Sequence, residues 1–420
     1  MVASIKSFST NQSDALVMAQ QLTAKIRAEV TDLELRGIIV FTSAGVDLPR
    51  FRAAFISGYA NTPILGTTSH LGVGTENGFH QSPSATAMVF YGSGYQIGTG
   101  FRTGNSSDPQ KWGADLARDA VGSGNVSAQD IRFAILFSSP GRENQILKGI
   151  YEVIPKDTPV LGGGIASTAF APDWYVWNEV GAGQQGAVLA VCDWPWELHA
   201  HFESGYMMTG KKGVATDVVN SRILKTIDHR PAAIVYNEWM NGALAHKLNG
   251  GNILEETTLK PLGISKDIGN GIRTFLLIHP EEVLSDQSIK LFADVEEGDE
   301  LFLMFSQAES LVKRPQRLSR VALSKSALDA EMLVGSLLIY CAGCLTAIRE
   351  KSDEMLCNYR SGNPAPFIAG FTFGEVGCVQ PGVYGHGNLM IGALFLSNKQ
   401  RTENNISISC YPVFAGSELK

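Results

Sequence analysis

The sequence predicts an α/β fold (α+β layered) made of internally repeated strand–helix–strand units, with sheets covered by helices and two halves. Three observations carry this. "TPILGTTSH" (62–70) recurs as "TPVLGGGIAS" (158–167). Each copy follows an aliphatic run, a small-residue turn and a segment of helical period. The aliphatic runs are short, β-branched and unalternating, as strands buried on both faces are.

In the first unit "GIIVFTSAG" (37–45) reads as a strand and "LPRFRAAFISGY" as a helix with one apolar face. Pro63 then starts the second strand, where its missing N–H stays outside the ladder. A Gly-rich stretch and "ATAMVFYG" (85–92) close the unit. The second unit repeats the order with "FAILFSSPG" (133–141), "ENQILKGIYEVI", the second motif and "GAVLAVCD" (186–193). A third copy follows near the C-terminus: "GSLLIYCAGC" (335–344), a helical segment through Cys357, "APFIAGFTFGEVG" (365–377) and "NLMIGALFLS" (388–397). Its loops are longer and its glycines are placed differently.

Between the second and third copies, "PAAIVYNEW", "IRTFLLIHP" and "DELFLMFSQ" read as further strands and one helix. A degenerate fourth unit would have to lie there, although none aligns. The joint falls in the charged, turn-bearing stretch 207–230. The expected organisation is an N-terminal segment 1–30, a domain 31–215 with repeats near 37–92 and 133–193, a domain 216–400 and a C-terminal segment 401–420.

With 44% hydrophobic and 18% charged residues in 420, the chain is globular with large buried surfaces. A net charge of −7 without a dense Lys/Arg block argues against a nucleic-acid groove or an anionic-membrane surface. The start lacks an apolar signal core, and the longest apolar run is too short to cross a bilayer. Six cysteines in this length do not make a disulfide scaffold. A soluble, reduced, cytoplasmic protein without membrane insertion is expected.

Strand ends in an open α/β sheet are where ligands bind. Here they carry Ser43, then Thr67, Thr68, Ser69 and His70; Ser139, Gly163 and Gly164; and Cys341, Thr372 and Glu375, with His386 just before the last strand. Gly allows close backbone approach and Ser/Thr supply neutral hydrogen bonds. These residues are the predicted ligand site; the same positions would otherwise be tight turns. Cys341 and Cys344 form a CxxC that reads as buried thiols, with a redox or half-metal site as the alternative. His199 and His201 share a strand face and could pair on a metal, or lie on a surface strand edge. No catalytic motif or confident metal site is present.

These stretches resemble the FIST sensory-domain family, a FIST N-terminal part followed by a FIST-C part. The matching segments are "IIVFTSAGVDLPRF…TPILGTTS", "TPVLGGGIAS", "TGKKGVATDVVNSRILKTIDHRPAAIVY" and "GSLLIYCAGC…PFIAGFTFGEVG…HGNLMIGALFL". The resemblance implies a non-enzymatic sensor for signal transduction that binds a small polar molecule such as an amino acid. It also implies action on a separate partner such as a histidine kinase in trans. One branch of the family senses nitric oxide through haem, which makes haem the alternative cofactor, with His70, His199, His201 and His386 as candidate ligands. Two positions depart from the family pattern: Cys344 stands where an Arg is frequent, and Thr67 where the first loop has Cys. A hydrolase using Cys341 or Ser139 is the remaining alternative, without a paired base in the sequence.

Overall fold

A computed structural model describes residues 3–31, 34–104, 106–168, 173–268, 273–325, 328, 330–401 and 407–410. Three copies of one longer unit organise it. Each copy runs edge strand, outer helix, central strand, second helix, parallel strand, hairpin and returning strand.

The first unit comprises strand Ser4–Thr10, helix Ala15–Glu29, strand Leu35–Ser43, helix Leu48–Ile56, strand Ile64–Ser69, a hairpin (Gly72–Thr75, Gly78–Gln81) and strand Ala85–Tyr91. In the second the same order is Ile97–Thr103, Pro109–Gly124, Phe133–Ser138, Glu143–Ile150, Val160–Gly164, Val176–Asn178 with Ala182–Gly183, and Gly186–Cys192. The third starts with Trp196–Glu203 and resumes at helix Ala308–Lys325. It continues with Leu333–Cys341, helices Ala342–Ala347 and Ser352–Gly362, Phe367–Thr372, the hairpin Glu375–Gln380 and Val383–Gly387, and Ile391–Gln400.

Local chemistry sets the helix starts. Asp14, Asp47 and Asp108 each accept hydrogen bonds from first-turn N–H groups, and Pro49 and Pro109 occupy first-turn positions that need no donor. In each sheet the central strand pairs in parallel with the motif strand, Ser43 beside Ser69, Ser138 beside Gly164 and Cys341 beside Thr372. The Ile38, Ala134 and Ser336 N–H groups donate to the Pro63, Pro159 and Pro366 carbonyls, which makes these prolines equivalent, and likewise Leu65, Leu161 and Ile368.

Helix pairs cover the outer faces, while the inner faces of all three sheets share one core. Phe41, Phe137 and Ile339 meet there with Leu65, Leu161 and Ile368. Burial on both faces is why the strand sequences do not alternate.

The hairpins are exchanged in a ring. The first unit's hairpin pairs with the third sheet (Gly74 beside Ala369), the second's with the first (Trp177 beside Gly66), and the third's with the second (Glu375 beside Gly163). Gly66 is required here, since a Cβ would stand 1.9 Å from the Trp177 ring.

Residues 207–305 are an insertion between the edge strand and outer helix of the third unit. They build a nine-stranded sheet around its own core, with helix Ala232–Trp239 packed on it. The expected strands "IRTFLLIHP" and "DELFLMFSQ" are Arg273–Ile278 and Glu300–Phe305, and "PAAIVYNEW" is the helix. Among the described residues these strands pair antiparallel with one another and form no fourth strand–helix–strand unit. The stretch 207–230 opens the insertion as paired strands Met207–Val219 and Ile223–Ile227. Most of segment 401–420 lies outside the described residues; Ser407–Ser409 adds an edge strand beside Trp196–Glu203.

Candidate functional site

A cavity of about 500 Å³ opens between the strand tips of the third unit and the insertion. The third unit contributes Cys341 at the end of its central strand, Phe373 and Gly374 past its parallel strand, and Asn388. Helix Leu254–Thr257 and its neighbours bring Thr258 and Leu259 from the insertion, and the strand Arg273–Ile278 leads into His279. His70 comes from the first unit. The exported hairpin carries it there, and its N–H donates to the Phe371 carbonyl at 3.0 Å.

Hydrogen bonding fixes the polarity of this wall. His70 Nδ1 lies 2.6 Å from the Ser167 carbonyl, which can only accept, so Nδ1 carries the proton. Burial pushes the His70 imidazole below its ordinary pKa, leaving Nε2 as an acceptor. Thr346 Oγ1, 3.1 Å from Nε2, has its one proton directed to the Ala342 carbonyl at 2.9 Å. His279 repeats the arrangement: Nε2 donates to the Leu254 carbonyl at 3.1 Å, and burial lowers its pKa to about 4. Asn388 Oδ1 accepts from the His279 N–H at 3.1 Å, which leaves the amide Nδ2 as a donor. The wall therefore offers neutral imidazole acceptors, one amide donor, hydroxyls and the carboxyl of the exposed Glu255, set among Leu254, Leu259, Phe292 and Phe373. No Lys or Arg lines it.

Behind this wall sit Thr372, Glu375 and His386. Thr372 Oγ1 donates to Glu375 Oε1 at 2.8 Å, and the Met390 N–H donates to Oε2 at 2.9 Å. Burial, with Cys341 nearby, pushes the Glu375 carboxyl well above its ordinary range. Gly374, at φ +82°, turns so tightly that a Cβ would stand 2.3 Å from His386 Nε2. His386 sits in a buried polar cluster. Its Nε2 is 3.6 Å from Glu143, whose other oxygen pairs with Arg222 at 2.8 Å, and Arg222 also binds Asp294 at 2.7 Å. Burial alone would raise the Glu143 carboxyl, but His386 and Arg222 hold it below its usual range.

Of the predicted residues, the structure brings His70 and Cys341 to the cavity, with Thr372, Glu375 and His386 directly behind it. Gly163 and Gly164 lie one layer deeper and seat the hairpin: Gly164 N–H donates to the Gly374 carbonyl at 2.9 Å. Ser43, Thr67, Thr68 and Ser69 do not line the cavity. The Ser43 hydroxyl bonds Ser82 and the Ser84 N–H, Thr68 caps Tyr175, and Ser69 joins Gly72 to Phe371. Thr67 is buried in its strand beside Val176. Ser139 lies in a separate groove of about 90 Å³ with Arg142 and bonds Gly186. These hydroxyls went into turns and hairpin seats, since the strand ends of the first two units are covered by loops and by the exchanged hairpins.

His199 and His201 are buried, not on a surface edge. His199 bonds Ser407 and Ser409, and His201 bonds Ser409 and Glu203. No group of three or more His, Cys, Asp or Glu with metal-binding geometry occurs among the described residues. Three of the four candidate histidines do not fit axial ligation of a haem in the cavity: His199 and His201 have both ring nitrogens hydrogen-bonded to side chains, and His386 lies behind Gly374 facing Glu143. His70 reaches the cavity with its Nε2 beside Thr346 Oγ1. His279, Arg222 and Asp294 were not singled out from sequence, for they belong to the insertion, which has no repeat partner; Asn388 was not singled out although it opens the last segment of the third copy.

No helix among the described residues is long and apolar enough to cross a membrane. No curated protein matches the chain in sequence. Solved structures similar to it include a cyanuric acid hydrolase from A. caulinodans (8% identity, 96% of this chain and 100% of that chain, TM-score 0.35). A chorismatase is also similar (10% identity, 94% and 98%, TM-score 0.35). Similarity at this level is too low to bear on fold or activity. Two family models match in tandem, the FIST N domain over residues 37–230 and the FIST C domain over 232–378. Together they span most of the chain, and the protein belongs to the FIST family of signal-transduction sensor domains.

Proposed function

We propose that this chain is a non-enzymatic small-molecule sensor whose ligand occupies the cavity between the third unit's strand tips and the insertion. The observation that carries this is the fixed tautomer pair: His70 and His279 each spend one ring N–H on a backbone carbonyl and keep one neutral acceptor. A ligand with N–H or O–H donors and an apolar or aromatic body matches these acceptors and the Phe292 and Phe373 walls. The amino group of an amino acid fits the same acceptors, while its carboxylate finds no Lys or Arg in the lining. Small amines and amides should therefore bind more tightly than the corresponding acids.

The insertion and the three-unit core meet at the cavity, so a ligand touching both favours the closed arrangement through its differential affinity. A separate partner, such as a histidine kinase in trans, would read that shift. The test is a thermal-shift panel of amino acids, amino-acid amides and aromatic amines on the wild type and on His70→Leu and Asn388→Leu. Stabilisation by amides and amines, lost in both variants, is the expected result. Stabilisation that survives both substitutions would move the site elsewhere.

A further inference from the structure

The cavity wall holds a second chemistry that ligand binding does not use. Cys341 ends the strand Leu333–Cys341 and lines the cavity; Cys344 follows one helical turn later in helix Ala342–Ala347. The rise and radius of an α-helix put Cα atoms at i and i+3 about 5 Å apart, within the Cα span a disulfide bridges.

Arg314 provides an independent observation. It is fully buried, and its guanidinium donates to the carbonyls of Ser204, Leu389 and Met390. No carboxylate among the described residues forms an ion pair with it, and its Nε lacks a hydrogen-bond partner. Leu389 O, which accepts from Arg314 Nη1 at 2.8 Å, also lies 3.6 Å from Cys344 Sγ, and Tyr206 Oη is 3.7 Å from the same sulfur. A permanent buried cation is thus placed beside Cys344, where it favours loss of the thiol proton. Burial pushes the Cys341 thiol up, whereas the contact with Cys341 and the charge of Arg314 draw Cys344 down against its own burial. Cys192, Cys378 and Cys410 are buried elsewhere, and Cys357 is exposed.

We propose that Cys341 and Cys344 are a reversible dithiol–disulfide couple, oxidised by low-molecular-weight disulfides that enter through the cavity. The Cys341 sulfur attacks one sulfur of the disulfide; that S–S bond breaks, and the departing thiolate takes the Cys341 proton. The Cys344 sulfur then attacks the Cys341 sulfur, and the second thiolate leaves with the Cys344 proton. The two cysteines together lose two protons and two electrons, and one disulfide becomes two thiols. Closing the bridge fixes the turn that carries Thr346, the hydroxyl beside His70 Nε2, and so reports redox state to the cavity.

The test treats full-length Cys357→Ser protein, which removes the exposed thiol, with hydroxyethyl disulfide and maps the products by peptide mass. The expected product is loss of two hydrogen atoms on the peptide holding Cys341 and Cys344, reversed by dithiothreitol. In Cys344→Ser the reaction should stop at a persistent mixed disulfide on Cys341; in Cys341→Ser, position 344 should stay unmodified. A pair that remains reduced, or a mixed disulfide on Cys341 that persists with Cys344 present, would overturn the proposal. No cavity ligand is added, so failure here leaves the ligand reading standing.

Discussion

Glu143 is wholly buried, and its carboxylate is shared by Arg222, the Gly141 N–H and the edge of His386. Removing one partner of a buried pair strands the other charge, which costs about 3–5 kcal/mol. Arg222→Met is therefore expected to lower the unfolding free energy by about that amount in urea titrations. Glu143→Gln on top of it should recover part of the loss. The histidines make a second prediction at this scale. His279 has its pKa lowered from 6.5 to about 4, so below pH 6.5 the unfolded chain takes up a proton that the folded one refuses. Its stabilising contribution is full above pH 6.5 and is lost as pH falls toward about 4, a total of about 3 kcal/mol. His279→Gln keeps a donor for the Leu254 carbonyl and should flatten the slope of stability against pH in that window. Residue positions were partly legible. His70, Cys341 and Glu375 were singled out because they stand at the ends of repeated strands, and the structure places them in or behind one cavity wall. His279 and Arg222 come from the insertion, which has no repeat partner, and nothing local marks them or Asn388, which opens the third copy's last segment. The serines and threonines of the first two units were misread because a hydroxyl that caps a turn has the same sequence signature as one that meets a ligand.

The exchanged hairpins connect the units, and their seats are narrow. Gly66 accepts the Trp177 ring where no Cβ fits, so even Gly66→Ala forces the hairpin off its strand. Overpacking of this kind costs about 1–3 kcal/mol. Gly66→Ala should lower the urea midpoint, and Gly66→Ala combined with Trp177→Ala should be less destabilised than the sum of the two single changes. The strands and second helices of each unit were readable from aliphatic runs, Pro starts and helical period. The exchange was not. Gly74 pairs with Ala369 almost three hundred residues away, and the partner strands are only a few residues long, so no local pattern fixes which sheet a hairpin joins. Capture of the first hairpin by the third sheet places His70 at the third unit's tip and not at its own.

At the scale of the whole molecule, three equivalent sheets share one core, and among the described residues a cavity of about 500 Å³ opens at the third unit's tip, against a groove of about 90 Å³ at Ser139 in the second. The difference is the insertion at 207–305. It lies between that unit's edge strand and outer helix and covers the strand tips with Leu254, Thr258 and His279. The central claim is that a ligand bridges this insertion and the strand tips. Hydrogen–deuterium exchange tests it most directly, with and without the amine or amide that gives the largest thermal shift. The account predicts simultaneous protection in the peptides containing His70, Leu254 to Leu259, His279, Cys341 to Ala347 and Asn388, with none around Ser43 or Ser139. Protection confined to the groove at Ser139 and Arg142, or to one side of the cavity alone, would contradict it.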